Sequence, residues 1–125
     1  MTVIRSAEAR RSETPGGVMT TFASPTQGGA SRSLWRVDAR PGAEGPVHDF
    51  DGEQVWSWVA GAAVVELGDE RFEVAAGDTV VMPARTVRRV LADPAAGYSA
   101  VVTAPAGARA LAPDGADYGI PPWIA

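Results

Sequence analysis

Between Ser33 and Asp38 the side chains alternate. Ser33, Trp35 and Val37 share one face, and Leu34, Arg36 and Asp38 share the other. A period of two marks a strand with one side against a core, and the Trp35 face is the expected inner one. Further strands are predicted over residues 18–23, 47–50, 54–60, 62–67, 71–74, 79–82, 87–91 and 98–103. Turn residues separate them: Ser24-Pro25, Asp51-Gly52, Gly68-Asp69-Glu70, Gly77-Asp78 and Asp93-Pro94. Gly61 is expected to break the apolar run into two strands. No segment longer than about two turns shows helical period. Short strands recurring at this spacing predict an all-β antiparallel barrel or jelly roll. Trp35, Val37, Trp56, Val81 and Val90 are its expected core. Residues 1–17 are polar, end in Thr-Pro-Gly-Gly, and read as a flexible or swapped arm. Residues 18–104 form the barrel. Residues 105–125 carry Pro105, Pro113, Pro121 and Pro122 and read as an extended tail.

Composition narrows the chemistry. A chain of 125 residues suits one domain, and 46% hydrophobic residues suffice for one core. The net charge is -4, and no basic stretch interleaves with aromatics, which argues against a nucleic-acid partner. No apolar run approaches the ~20 residues that cross a bilayer, and the first residues lack the apolar centre of a signal peptide. A cytoplasmic protein is expected. There are no cysteines, so disulfides, thiolate nucleophiles and thiolate metal sites are excluded. All 11 basic residues are arginines, which removes Schiff-base chemistry. His48 is the only histidine.

Three spacings then stand out. Gly42 is followed after five residues by His48, Gln54 after six by Gly61, and Gly77 after five by Pro83. In this order, within an all-strand chain, they resemble the two motifs of the cupins over residues 33–104. The resemblance implies an antiparallel double-stranded β-helix. It also implies a divalent metal held by two His and one Glu of the first motif and one His of the second. Here the first ligand position is His48, but the others hold Phe50, Gln54 and Arg88, and the second motif's Gly is Arg85. A phenyl ring cannot ligate, a guanidinium repels cations, and an amide oxygen is a poor substitute for carboxylate. No metal is therefore expected. Its alternative is a divalent ion on His48 with Gln54, or with Glu53 brought inward by a bulge.

If the motif positions face inward, His48, Phe50, Gln54, Trp56, Trp58 and Ala60 line a cup, with Arg88 and Val90 opposite. An apolar cup with a few converging polar groups is the usual form of a small-molecule site. His48, whose ordinary pKa lies near neutrality, is the candidate acid–base catalyst. Phe50, Gln54, Trp56, Trp58 and Arg88 are the candidate substrate-binding residues. An inward Arg88 needs a partner, either Glu53, Asp49 or an anionic ligand. Many cupins that this chain resembles act on aromatic or polyketide-like metabolites as cyclases, isomerases or dioxygenases. Without a metal, a cyclisation or isomerisation is the leading expectation. A binding module without turnover, a structural homodimer paired through its sheets, and a metal-dependent dioxygenase with atypical ligands are the alternatives.

Overall fold

The computed structural model describes all 125 residues. Eleven strands form: β1 Arg10–Thr14, β2 Gly17–Ala23, β3 Arg32–Ala39, β4 Asp49–Phe50, β5 Gln54–Leu67, β6 Glu70–Ala75, β7 Thr79–Met82, β8 Arg88–Ala92, β9 Tyr98–Pro105, β10 Ala110–Leu111 and β11 Asp117–Gly119. The only helical element is a 3-10 turn at Ser6–Glu8, and no helix is long and apolar enough to cross a membrane. All pairing between strands is antiparallel. The larger sheet runs β1-β2-β3-β9-β5-β6, with β7 and β8 also on β5, and β11-β10-β4 make a small second sheet. The architecture is an all-β jelly roll whose sheets do not close into a barrel.

Strand β5 organises it. Its first half pairs with β9 and β7, and its second half with β6 and β8. The register slips between Trp58 and Ala60, and Gly61 then adopts φ 72°. A Cβ on Gly61 would lie 2.1 Å from the Gly97 carbonyl oxygen, so only glycine fits there. Gly61 thus bends one continuous strand rather than ending it, and a strand that bends at a bulge can serve both sides of a sandwich. The slip also flips the alternation. Gln54 and Trp58 face inward before it, Ala63 and Val65 after it, and Ala60 is exposed rather than inward.

The core lies between these layers. Trp35 pairs with Val102, which pairs in turn with Trp56, while Trp58 pairs with Ala100. Small residues on β9 give the indoles room. Trp35, Val37 and Val90 are buried as expected, and Trp56 is half-buried. Val81 is not: it is 54% exposed, and Met82 is buried in its place. Val81 pairs with Val55, and Val55 with Thr103, which pairs with Leu34. Cross-strand partners share a face, so this row lies on the outside.

Both chain segments outside residues 18–104 are integrated. Residues 10–14 are not a loose arm but pair with their own chain's β2. The tail contributes β10 and β11, buries Ile124 completely, and accepts bonds from the buried hydroxyls of Ser33 (2.6 Å to the Ile124 carbonyl) and Thr21 (2.8 Å to that of Trp123). Those bonds satisfy two hydroxyls that the core would otherwise strand.

Candidate functional site

A cavity of about 430 Å³ opens into the interior of the jelly roll. Trp35, Phe50, Trp56, Tyr98 and Trp123 wall it, and His48, Gln54 and Arg88 supply its polar groups. Exposed Pro15, Glu44 and Pro46 mark the mouth. The β1–β2 turn is held there by Arg40, whose guanidinium donates to the carbonyls of Thr14 (3.1 Å) and Pro15 (2.7 Å).

His48 and Arg88 are backbone partners, with N–H···O distances of 3.1 and 2.8 Å. The His48 Nδ1 lies 2.7 Å from the Pro46 carbonyl. A carbonyl only accepts, so Nδ1 carries the proton and Nε2 is left with a free lone pair. Burial is the main force holding the imidazole pKa below its ordinary 6.5. The Pro46 bond opposes this, the Arg88 charge adds to it, and Asp49 opposes it. His48 is therefore a neutral imidazole at neutral pH, with Nε2 able to take a proton.

Arg88 points inward and is 1% exposed. Its Nη2 donates to the Pro83 carbonyl (2.9 Å), its Nε to the Thr86 carbonyl (3.1 Å), and its Nη1 to Gln54 Oε1 (3.4 Å). Asp49 stands 3.9 Å away, and the guanidinium lies 5.6 Å from the Phe50 ring centroid. Of the partners expected for this charge, Asp49 is present and Glu53 is exposed. The protein itself satisfies most of the guanidinium.

Gln54 is 1% exposed, and its Oε1 also accepts from Trp56 Nε1 at 3.0 Å. Two donors meet one oxygen, which fixes the amide's orientation, since the flipped form would set donor against donor. The amide NH2 is then buried with no partner. A donor left so costs about 1–3 kcal/mol unless something accepts from it.

No family model matches the chain, and no curated protein sequence does. Solved structures do match. An RmlC-like cupin from Shewanella frigidimarina is 20% identical, with a TM-score of 0.70 over 85% of this chain and 92% of that one. The polyketide cyclase RemF from Streptomyces resistomycificus is 18% identical, with a TM-score of 0.71 over 84% and 79%. Vicilin from hazelnut, Corylus avellana, is 19% identical, with a TM-score of 0.74 over 87% of this chain and 36% of its own. The chain has the cupin fold.

Cupin folds commonly hold a divalent metal, and the donor set here does not fit one. Phe50 packs edge-on to His48 at 5.1 Å, where a second ligand would be needed. The third position holds the Arg88 cation, and the Gln54 oxygen already accepts twice. Glu53 is exposed, so no bulge turns it inward. No three His, Asp or Glu side chains converge anywhere in the chain.

Of the sequence candidates, His48, Phe50, Gln54, Trp56 and Arg88 line the cupin cavity together. Trp58 does not. It lies 1% exposed in the core, with its ring 5.5 Å from that of Trp56. Alternation assigns a residue to a side of the sheet but not to a depth along the interior. Sequence reasoning missed Tyr98 and Trp123. Tyr98 had a signal: it is the one large residue on the inner face that continues as Ala100, Val102 and Ala104. Trp123 reaches the wall only through the docking of the tail, which no local pattern encodes.

Proposed function

We propose that this protein is a metal-independent enzyme of cyclase or isomerase type that moves a proton on an apolar, ring-bearing carbonyl compound. The cavity carries the reading: aromatic walls enclose the polar groups of His48, Gln54 and Arg88, and a ligand's carbonyl oxygen set among them would give the unpartnered Gln54 amide NH2 an acceptor. Around that oxygen the aromatic walls favour flat, apolar surface. The Arg88 charge beside Gln54 favours negative charge building on the oxygen. The neutral His48 Nε2 is the base for an acidic C–H or O–H. The likeness to RemF, a polyketide cyclase, agrees with this chemistry and shows only the fold.

Two measurements test it. Indole fluorescence reports binding of aromatic ketones, since Trp56 lines the cavity. Proton NMR in D2O reports exchange at the carbon next to the carbonyl of β-tetralone. His48→Ala is expected to abolish exchange while retaining binding, and Gln54→Leu to weaken binding by about tenfold, the loss of one hydrogen bond of about 1.5 kcal/mol. Binding without exchange in wild type means a carrier rather than an enzyme. Absence of both defeats the proposal.

A further inference from the structure

Residues 121–125 supply one wall of the cavity without belonging to either sheet. They turn tightly on the Pro121 carbonyl, which accepts from the Ile124 N–H at 2.9 Å and the Ala125 N–H at 3.1 Å. Three buried hydroxyls then hold three successive carbonyls: Thr21 that of Trp123 (2.8 Å), Ser33 that of Ile124 (2.6 Å) and Ser24 that of Ala125 (2.8 Å). Ile124 is fully buried, whereas Trp123 is half-buried and is the one residue of this segment that lines the cavity. Backbone bonds and Ile124 anchor the segment, and the Trp123 indole is the side chain it presents to the cavity.

Strand register fixes where that happens. Thr21 pairs with Trp35, Trp35 with Val102, and Val102 with Trp56, so Trp123 is held beside the row that carries two other wall indoles. Gly17, at the foot of the β1–β2 turn that borders the mouth, is four residues from Thr21 along β2. At ~3.3 Å per residue that is about 13 Å. Trp123 therefore stands at the end of the cavity away from the turn and bounds its length in the strand direction.

We propose that Trp123 is a specificity-determining residue: its indole stops a flat ligand lying along the strands, and so limits how many fused rings the cavity admits. This deepens the reading of the cavity as a site for apolar, ring-bearing carbonyl compounds and rests on it. An apolar wall discriminates by burial and fit, since each further fused ring adds four carbons that either find space or do not. The bonds that place Trp123 involve its carbonyl and its neighbours, not its ring, so the ring can be shortened with the segment still docked.

Equilibrium dialysis of 2-acetylnaphthalene, 2-acetylanthracene and 2-acetyltetracene against wild type, Trp123→Phe and Trp123→Ala tests this without relying on indole emission. The quantity read is the affinity for the longest ketone relative to the shortest. Trp123→Ala should raise that ratio about tenfold over wild type, a fraction of what burying four or more further carbons can contribute. Trp123→Phe should fall between the two. If Trp123→Ala does not fold, Trp123→Phe decides the matter by the same ratio. A ratio that stays at the wild-type value, even where all affinities fall together, overturns the role of Trp123 and leaves the reading of the cavity standing. Wild type that binds none of the three ketones defeats the reading of the cavity itself.

Discussion

Replacing Arg88 by methionine separates structural from ligand-binding duty. Methionine fills most of the apolar volume but removes every donor. The Pro83 and Thr86 carbonyls then lose bonds of 2.9 and 3.1 Å to a charged group, each contributing about 1.5–3 kcal/mol. The 3.4 Å bond to Gln54 is long and adds little. Asp49 loses a partner 3.9 Å away, at the edge of ion-pair range, and with a side chain only 14% exposed it keeps a largely buried, uncompensated charge that adds to the loss. Against these losses, folding no longer has to bury a guanidinium, which recovers part of the sum. The net effect should be about 3 kcal/mol of destabilisation, or a fall in Tm of about 10 °C for a domain of this size. Guanidinium chloride unfolding followed by tryptophan emission measures it. The variant should still bind aromatic ketones within about fivefold, because Gln54 keeps its free NH2. A stability loss under about 1 kcal/mol would refute the anchoring of the turn, and binding that vanishes in a folded variant would show that Arg88 holds the ligand directly.

Other outcomes follow from particular backbone and titration features. Gly61→Ala should prevent folding or destabilise by about 3 kcal/mol or more, since its Cβ would strike a carbonyl, whereas Gly77→Ala, at φ 96° with nothing within 4 Å, should lose only about 1–2 kcal/mol of backbone strain; thermal melts compare the pair. Arg85 holds φ 56° and is exposed, so Arg85→Gly should stabilise by about 0.5–1 kcal/mol; an unchanged or lower chemical-denaturation midpoint contradicts this. His48 has its pKa lowered on folding, so the unfolded chain takes its proton first. Its contribution to stability is complete above about pH 6.5 and is lost as pH falls through that value towards the folded pKa, and the loss should disappear in His48→Gln unfolding curves. A homodimer is expected to cover the outer row Leu34-Thr103-Val55-Val81; sedimentation as a monomer at tens of micromolar would remove it.

Much of the fold was legible because its signals are local. Strand alternation placed Trp35 and Val37 inside, and the spaced glycines marked real backbone demands: Gly42, Gly61 and Gly77 all have positive φ. The inward setting of His48, Phe50, Gln54 and Arg88 followed from the same spacing. What failed depends on partners distant in sequence. Val80-Val81-Met82 is apolar throughout, so its phase is unreadable until Val55 pairs with Val81. Ala60 reversed because a bulge beside Gly61 shifts the count by one. Residues 10–14 carry no apolar pattern because an edge strand needs only one neighbour and little core. Trp58 was misplaced in depth, not in direction.

The turn between β7 and β8 joins these points into one argument. Arg85 occupies the position where the cupin pattern has glycine, and it keeps a glycine-like φ of 56°, with its N–H bonded to the Phe50 carbonyl at 2.8 Å. That conformation leaves the carbonyls of Pro83 and Thr86 to accept from Arg88. The strain at Arg85 and the burial of Arg88 are thus parts of one device: the turn is bent so that its own oxygens anchor a cation inside the cavity. An anchored guanidinium differs from a bound metal in what it can do. It has no open coordination position and cannot ionise water, but it supplies a fixed positive field beside the Gln54 amide. Such a field would stabilise a nascent enolate of the proposed reaction without binding it outright, and it adds to the burial that holds His48 towards the neutral form. On the proposed function, the residues that remove a metal's ligands are the ones that would equip the cavity for proton transfer. This coupling predicts that Arg85→Gly, although more stable, leaves exchange of β-tetralone unchanged, because the φ of the turn and hence the anchoring of Arg88 stay the same. A changed exchange rate in that variant would mean that the Arg85 side chain, and not the turn it strains, matters to the site.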